Sequence, residues 1–359
     1  MKLNELGWNN FFEEQMKRWE GSGLMAGRVV SVAGAFYIVE SEQGRRESRV
    51  SGHFQYIAAG REDYPAVGDW VLLRGEGEPL IIERVLERKS RFSRRAAGRT
   101  SDEQVIAANI DIMFITASLE GGRNFTLRGI ERYIVMVSDG GAQPVIILNK
   151  CDLCTEDERE DYLMQVKQVS GDIPVLMVSA RSGEGVERIH ELLKQGVTAA
   201  FTGPSGAGKS ALINRLTGEE IQRTGELREA DLRGRHTTTS RELFFTGSGG
   251  MVIDTPGLRE LRPFGERDSL DSAFTEIAEA AKGCRFTDCS HKDEPGCEVL
   301  RLVSEGAIEY ERYQNYITIR DEMISLDMMK SEKGRMERKA KEKTISKLVK
   351  SFYRESDKY

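Results

Sequence analysis

The sequence predicts a multidomain α/β protein: an N-terminal OB-like β-barrel, a central phosphate-loop domain and a C-terminal α-helical, metal-binding domain. Three observations carry this reading. Five short β-rich runs separated by Gly-bearing turns fall within residues 24–88. Strand-like and helix-like segments then alternate through 89–262 around Gly203-Pro204-Ser205-Gly206-Ala207-Gly208-Lys209-Ser210, which fits the G-x-x-x-x-G-K-[ST] phosphate loop. Three of the five cysteines crowd between 284 and 297.

Composition sets the frame. A chain of 359 residues calls for two or three domains, and 31% charged with 39% hydrophobic residues is globular rather than disordered. No apolar run is long enough to span a bilayer, and Met1 to Trp8 has no apolar signal core, so a cytoplasmic protein with no membrane partner is expected. The net charge of −6 argues against a uniformly basic nucleic-acid coat. No DNA partner is expected, local basic surfaces remain open to RNA, and a monomer is expected. An odd cysteine count does not suit a disulfide framework and suits a metal site in a reducing compartment.

Residues 1–23 form a leader bearing Trp8, Phe11, Phe12 and Trp19. Packing against the next domain is favoured over docking on a partner. In 24–88, the runs from Leu24, Ala35, Arg49, Asp69 and Pro79 read as barrel strands. Phe36, Tyr37, Phe54 and Tyr56, with Arg28, Arg45, Arg46 and Arg49, could serve RNA, but some of these aromatics must fill the interior. The basic run Arg84 to Arg99 reads as a solvated linker or a phosphate-contacting strip.

In 89–262, Ile110 to Ala117, Gln143 to Leu148 and Ile173 to Val178 read as buried strands, with helices over Leu127 to Val137, Glu156 to Val169 and Val186 to Leu193. Functional loops belong at the carboxyl ends of such strands. The phosphate loop lies between the strand Val197 to Thr202 and a helix that begins with Ala211. Its glycines let N–H groups close on the α- and β-phosphates. Lys209 is expected on the β/γ-phosphates and the Ser210 hydroxyl on Mg²⁺. Asn149-Lys150-Cys151-Asp152 has the N-K-x-D pattern. The Asp152 carboxylate can accept from guanine N1–H and the exocyclic amine together, a donor pair that adenine lacks. Asn149 can tie this loop to the phosphate loop, the Lys150 stem can lie over the base, and the Ser179-Ala180 backbone can meet guanine O6. Asp254-Thr255-Pro256-Gly257 has the D-x-x-G pattern, with Asp254 reaching Mg²⁺ through water and the Gly257 N–H meeting the γ-phosphate. One threonine of Gly234-Arg235-His236-Thr237-Thr238-Thr239 should complete the Mg²⁺ shell, and Thr238 is favoured.

The order is permuted: the base-reading motifs precede the phosphate loop, whereas standard small GTPases place them after D-x-x-G. A permuted order is tolerated when the original termini are close. A circularly permuted P-loop GTPase domain flanked by a β-barrel and a Cys/His cluster resembles the ribosome small subunit-dependent GTPase A family. The resemblance covers nearly the whole chain and includes Arg88-Lys89-Ser90 and Glu103 to Asn109 besides the nucleotide motifs. It implies a cytoplasmic GTPase that acts late in small-subunit maturation and is stimulated by that subunit. Leu258 stands where Ras-like enzymes carry the water-orienting glutamine, so intrinsic hydrolysis should be slow. His236 is the nearest candidate to position water, in line with what the resemblance implies for this loop.

In 263–359, Cys284-x4-Cys289-x-His291-x5-Cys297 supplies a Cys₃His set, a common closed structural zinc site. Its spacing matches the Cys/His cluster of the resembled family. Helices are expected over Ser269 to Ala281 and Glu298 to Met329, and the tail from Lys330 is rich in Lys and Arg, which favours an rRNA contact over a merely solvated helix. The expected function is ribosome-stimulated hydrolysis of GTP to GDP and phosphate, with Mg²⁺ and one structural Zn²⁺ and with the small ribosomal subunit and its rRNA as partner. The alternatives are an RNA-binding assembly factor in which GTP only gates binding, and an ATPase or kinase, against which Asp152 discriminates.

Overall fold

The computed structural model describes residues 1–95, 103–120, 125–218, 241–254, 267–325 and 328. The chain divides into two compact units, Met1–Arg262 and Pro263–Tyr359.

The leader packs on its own protein. A 3-10 turn, Leu3–Leu6, precedes helix α1, Asn10–Met16, whose N-cap Asn9 accepts from the Phe11 N–H. Leu6 and Phe12 are buried against Trp70, and Trp8 meets that indole edge-on at 4.8 Å.

The barrel follows as β1 Met25–Ala33, β2 Phe36–Ser41, β3 Gly44–Val50, the short helix α2 Gly52–Ile57, β4 Trp70–Arg74 and β5 Leu80–Val85. Neighbours run β1-β2-β3-β5-β4, and β4 returns to β1 to close the ring. Only the β3–β5 pair of this ring is parallel, so the barrel has the five-stranded Greek-key character of an OB-fold. Val29, Val39, Val71 and Ile82 fill it. A Cβ on Gly27 would lie 2.5 Å from the Val39 side chain and 2.7 Å from that of Leu73, so the packed β1 has no room for one. Of the four barrel aromatics, Tyr37 and Phe54 are interior, whereas Phe36 is 47% and Tyr56 88% exposed.

Several cations of the basic run have partners within the fold. The Arg84 guanidinium lies 4.5 Å over the Trp19 ring. Arg88 bonds both oxygens of the fully buried Asp69, at 2.7 and 2.8 Å, and donates to the Glu62 and Tyr64 carbonyls. Lys89 pairs with Asp111 at 3.1 Å. Arg91–Arg95 then form β6, antiparallel to β7, Glu103–Ala108. Arg84 and Arg88 are thus half-buried against partners, whereas Lys89 and Arg91 are exposed.

The nucleotide sheet contains β8 Ile112–Ser118, β9 Gln143–Asn149, β10 Val175–Val178, β11 Thr198–Thr202, β12 Arg241–Phe245 and β13 Met251–Asp254. Its order is β10-β9-β8-β11-β13-β12, all parallel except β12. Helices α3 Leu127–Asp139, α4 Glu156–Ser170, α5 Val186–Leu192 and α6 Lys209–Thr217 accompany it. Every residue of β8 and β11 is buried, as strands covered on both faces require, and Phe114, Ile147, Phe201 and Leu212 share one core.

Strand β12 was not foreseen. It lies between β13 and barrel strand β1, pairing Ser31 with Glu242 and Val32 with Arg241. Barrel and nucleotide strands therefore form one eleven-stranded sheet. Arg28 of β1, 1% exposed, pins this junction: it donates to the carbonyls of Leu6 in the leader, Gly68 in the barrel and Asn109 before β8. Burial lowers this guanidinium to about 10, partly offset by the charges of Asp111 and Asp69.

In the second unit the expected first helix is two, α7 Arg267–Ala273 and α8 Thr275–Ala281, broken at the fully buried Phe274. The Cys/His loop follows, then α9 Glu298–Ser304, a turn at the left-handed Gly306, and helix α10, described from 310 to 325. Helix α10 holds the loop: the Tyr313 hydroxyl donates to the His291 carbonyl at 2.7 Å, Arg320 to that of Ser290, and Lys292 pairs with Asp321 at 2.8 Å. No helix among the described residues is long and apolar enough to cross a membrane.

Candidate functional site

The chain leads from β8 one way to β9 and from β11 the other way to β13. Such a switch point opens a crevice at the strands' carboxyl ends, where α/β sheets take their ligands. The loops singled out in the sequence leave from that edge. The phosphate loop follows β11, Asn149 ends β9, Ser179 follows β10, and Asp254 ends β13.

Gly203, Gly206 and Gly208 have φ of 130°, 82° and 90°, the region glycine enters without strain. A Cβ on Gly203 would sit 2.1 Å from the Thr116 carbonyl oxygen, and one on Gly208 2.1 Å from Asn149 Nδ2. The cradle is therefore closed by the Thr116 backbone at one end and the Asn149 side chain at the other. Ala207 is buried beneath it, Pro204 is half-buried, and Ser205 and Gly206 face outward. Gly208 caps α6, so Lys209, Ser210 and Ala211 form its first turn, where unpaired N–H groups and the helix dipole favour an anion. Lys209 Nζ donates to the Gly203 and Pro204 carbonyls at 2.8 and 2.6 Å, which keeps the ammonium at the loop.

The base-reading side is joined to this cradle through one side chain. Buried Asn149 donates from Nδ2 to the Ala207 carbonyl at 2.8 Å and accepts at Oδ1 from the Ala180 N–H at 3.0 Å. That N–H is the group expected on guanine O6, so meeting a base there requires sharing or exchanging the Asn149 bond. Lys150 is left-handed at φ 68°, and its ammonium pairs with Glu120 after β8. Cys151–Leu153 form a 3-10 turn that carries Asp152. Burial pushes the Cys151 thiol up to about 11, so it is a packing group there.

Ser179 is fixed by its own loop, its Oγ accepting from the Ser182 N–H and its N–H bonding the Glu184 carbonyl. Arg159 of α4 joins the two base-side loops. It donates to the Cys151 carbonyl at 3.0 Å and grips the Glu184 carboxylate at 2.7 and 3.4 Å. Hydrogen bonding to Glu184 raises Arg159 above its ordinary value. Neither this strut nor Glu120 was foreseen, because a charged residue on a polar helix or in a loop gives no sequence signal distinguishing it from a solvated one. The motif N-K-x-D and its register gave the loops but not what braces them.

Ser210 and Asp254 supply hard oxygen donors from the adjacent β11–α6 and β13 segments, a donor chemistry that fits Mg²⁺. His236, Thr238, Gly257 and Leu258 lie outside the described residues, as does the basic tail from Lys330.

The Cys/His cluster is assembled. The ligand atoms of Cys284, Cys289, His291 and Cys297 all lie within 4.8 Å of one another. Cys284 Sγ is 3.9 Å from Cys297 Sγ, and His291 Nδ1 is 3.6 and 3.5 Å from those sulfurs. Tetrahedral zinc with bonds of about 2.0–2.3 Å spaces its ligands by about 3.5–3.8 Å, so the set fits a closed Cys₃His site. His291 is left-handed at φ 58° and buried. The carbonyl contact to Tyr313 fixes the backbone there.

Comparison with known proteins agrees with this geometry. The model of the RsgA GTPase family matches residues 85–263. A small ribosomal subunit biogenesis GTPase RsgA of Leptospira interrogans is 39% identical over 352 residues, 97% of this chain and 95% of that protein. The crystal structure of YjeQ from Thermotoga maritima aligns over 84% of this chain and 99% of that one, with a TM-score of 0.62 and 29% identity. YloQ, described as a circularly permuted GTPase, aligns over 85% of this chain and 96% of its own at a TM-score of 0.61; at 23% identity it speaks to the fold alone.

Proposed function

The chain belongs to the RsgA GTPase family and is a GTP-hydrolysing enzyme, and from that premise we propose that it acts in the cytoplasm in maturation of the small ribosomal subunit. Hydrolysis to GDP and phosphate is stimulated by that subunit, and the barrel and the second unit grip its rRNA. The observation that carries the site is Asn149, whose carboxamide joins the phosphate cradle to the Ser179-Ala180 loop. Motifs far apart in the sequence thereby face one crevice.

The residues divide the work as follows. The α6 N-terminus and the 203–208 backbone take the phosphates, and Lys209 turns from its loop carbonyls to the β/γ-phosphates. Asp152 accepts from guanine N1–H and the exocyclic amine, with the Lys150 stem over the base. Ser210, Asp254 and Thr238 would hold Mg²⁺, which when bound neutralises phosphate charge. His236 positions the water for in-line attack, and the Gly257 N–H senses the γ-phosphate. Contact with rRNA arranges the threonine loop. Cys284, Cys289, His291 and Cys297 would hold one structural Zn²⁺.

The test is multiple-turnover GTP hydrolysis with and without purified small ribosomal subunits. The reading requires stimulation by small subunits and its loss with His236→Ala at nearly unchanged GTP affinity. Equal turnover in both conditions would favour an RNA-binding assembly factor for which GTP only gates affinity.

A further inference from the structure

Guanine preference needs more than a carboxylate. Asp152 must stand at a fixed distance from the loop that meets the other side of the base, because a hydrogen bond weakens steeply with misplacement. The peptide turn that carries Asp152 is fastened within itself and to the segment after β8, where Cys154 Sγ meets the Leu119 carbonyl at 3.6 Å and Lys150 pairs with Glu120. The Cys151 carbonyl accepts from the Cys154 N–H at 3.1 Å, and the Leu153 N–H bonds the Lys150 carbonyl at 3.0 Å. None of these bonds reaches the Ser179–Glu184 loop, whose link just ahead of the turn is the Asn149–Ala180 bond.

The Ser179–Glu184 loop is better anchored. The Ser179 N–H bonds the Glu184 carbonyl, the Gly183 N–H bonds the Ser179 carbonyl, and a Cβ on left-handed Gly185 would lie 2.2 Å from the Met177 carbonyl oxygen. Arg159 links the Asp152 turn to this loop. Its Nε holds the Cys151 carbonyl while its two terminal nitrogens hold the Glu184 carboxylate. Its own helix is fixed at the start by a capping box, Thr155 with Glu158. A planar guanidinium using three donors in a fork defines distance and angle together, which a lysine at the same place could not do.

We propose that Arg159 and Glu184 form a positioning strut that sets the preference of this site for guanine over hypoxanthine, by fixing the Asp152 turn against the Ser179-Ala180 loop. The inference rests on the guanine reading above. Hypoxanthine keeps N1–H and O6 but lacks the exocyclic amine, so the GDP to IDP affinity ratio isolates the contact that a displaced Asp152 loses first. The side chains are 21% and 49% exposed, so the pair adds little to folding stability, and its removal should be read in specificity rather than in melting.

The experiment is calorimetric titration of the full chain and of Arg159→Gln, Glu184→Gln and the double variant with GDP, IDP and ADP, alongside thermal melting. The expected result is a GDP to IDP ratio about tenfold lower in Arg159→Gln and lower also in Glu184→Gln, as loss of a designed hydrogen bond brings. IDP affinity stays nearly constant, and the double variant is no worse than Arg159→Gln alone, because the two residues act as one unit. If Arg159→Gln does not fold, the near-isosteric Glu184→Gln decides. An unchanged ratio, or GDP and IDP weakened equally, overturns the strut while leaving the guanine reading intact. Wild-type protein that binds ADP as tightly as GDP overturns the guanine reading and the strut with it.

Discussion

Asn149 spends one carboxamide on two loops, donating to Ala207 and accepting from Ala180, while its Nδ2 occupies the space a Gly208 side chain would need. The glycine and the asparagine are thus one device. Gly208→Ala is expected to lower GDP affinity at least about tenfold, since a backbone at φ 90° and a neighbour at 2.1 Å leave a methyl group nowhere to go. Titration of the folded variant with GDP checks this, and wild-type affinity would contradict it. Asp152→Asn exchanges an acceptor for a donor and is expected to shift preference towards xanthine nucleotides. Away from the site, Asp69→Ala strands the Arg88 guanidinium, which bonds both oxygens of that buried carboxylate. Breaking such a pair costs about 3–5 kcal/mol, to be read in the urea midpoint.

Elements were legible to the degree that their residues report burial. β8 and β11 are buried throughout and mostly apolar because both faces are covered, and the sequence shows them as strands. The Cys/His loop was equally plain, since three cysteines and a histidine so closely spaced form a recognisable metal-binding pattern. Chelation of zinc is expected to unfold this loop and α9, which Cys297 caps by accepting from the Leu300 N–H. Loss of helical circular dichroism on release of one equivalent of zinc supports this, and an unchanged spectrum contradicts it. β12 was less legible. Its five residues include only three apolar ones, and half of its pairing partner is a barrel strand about two hundred residues earlier. The α7–α8 break was hidden because Phe274 fits a helical period and leaves it only to be buried. The basic run was legible only in part: charge alone does not show that Asp69, Asp111 and Trp19 partner Arg88, Lys89 and Arg84.

At the scale of the molecule, the first unit is one hydrogen-bonded sheet from barrel to nucleotide strands, and Arg28 ties leader, barrel and the entry to β8 through three carbonyls. Sequence reasoning separates barrel and nucleotide segments by their composition and motif content, and the composition of each is real. The long-range register that joins them is not written in local pattern. Removing residues 1–88 should therefore leave β12 an exposed edge and Asn109 without its Arg28 contact, and the remaining chain is expected to aggregate or to lose GDP binding. A truncated chain that stays monomeric and binds GDP as the full chain does would contradict this.

On the function proposed here, the permuted loops make one guanine-reading site that turns over. The most direct measurement compares hydrolysis of GTP and XTP by wild-type protein and Asp152→Asn, each in the presence of purified small ribosomal subunits. Wild type is expected to favour GTP and the variant XTP, with subunit stimulation retained for the favoured nucleotide. The same nucleotide preference in both proteins would contradict it.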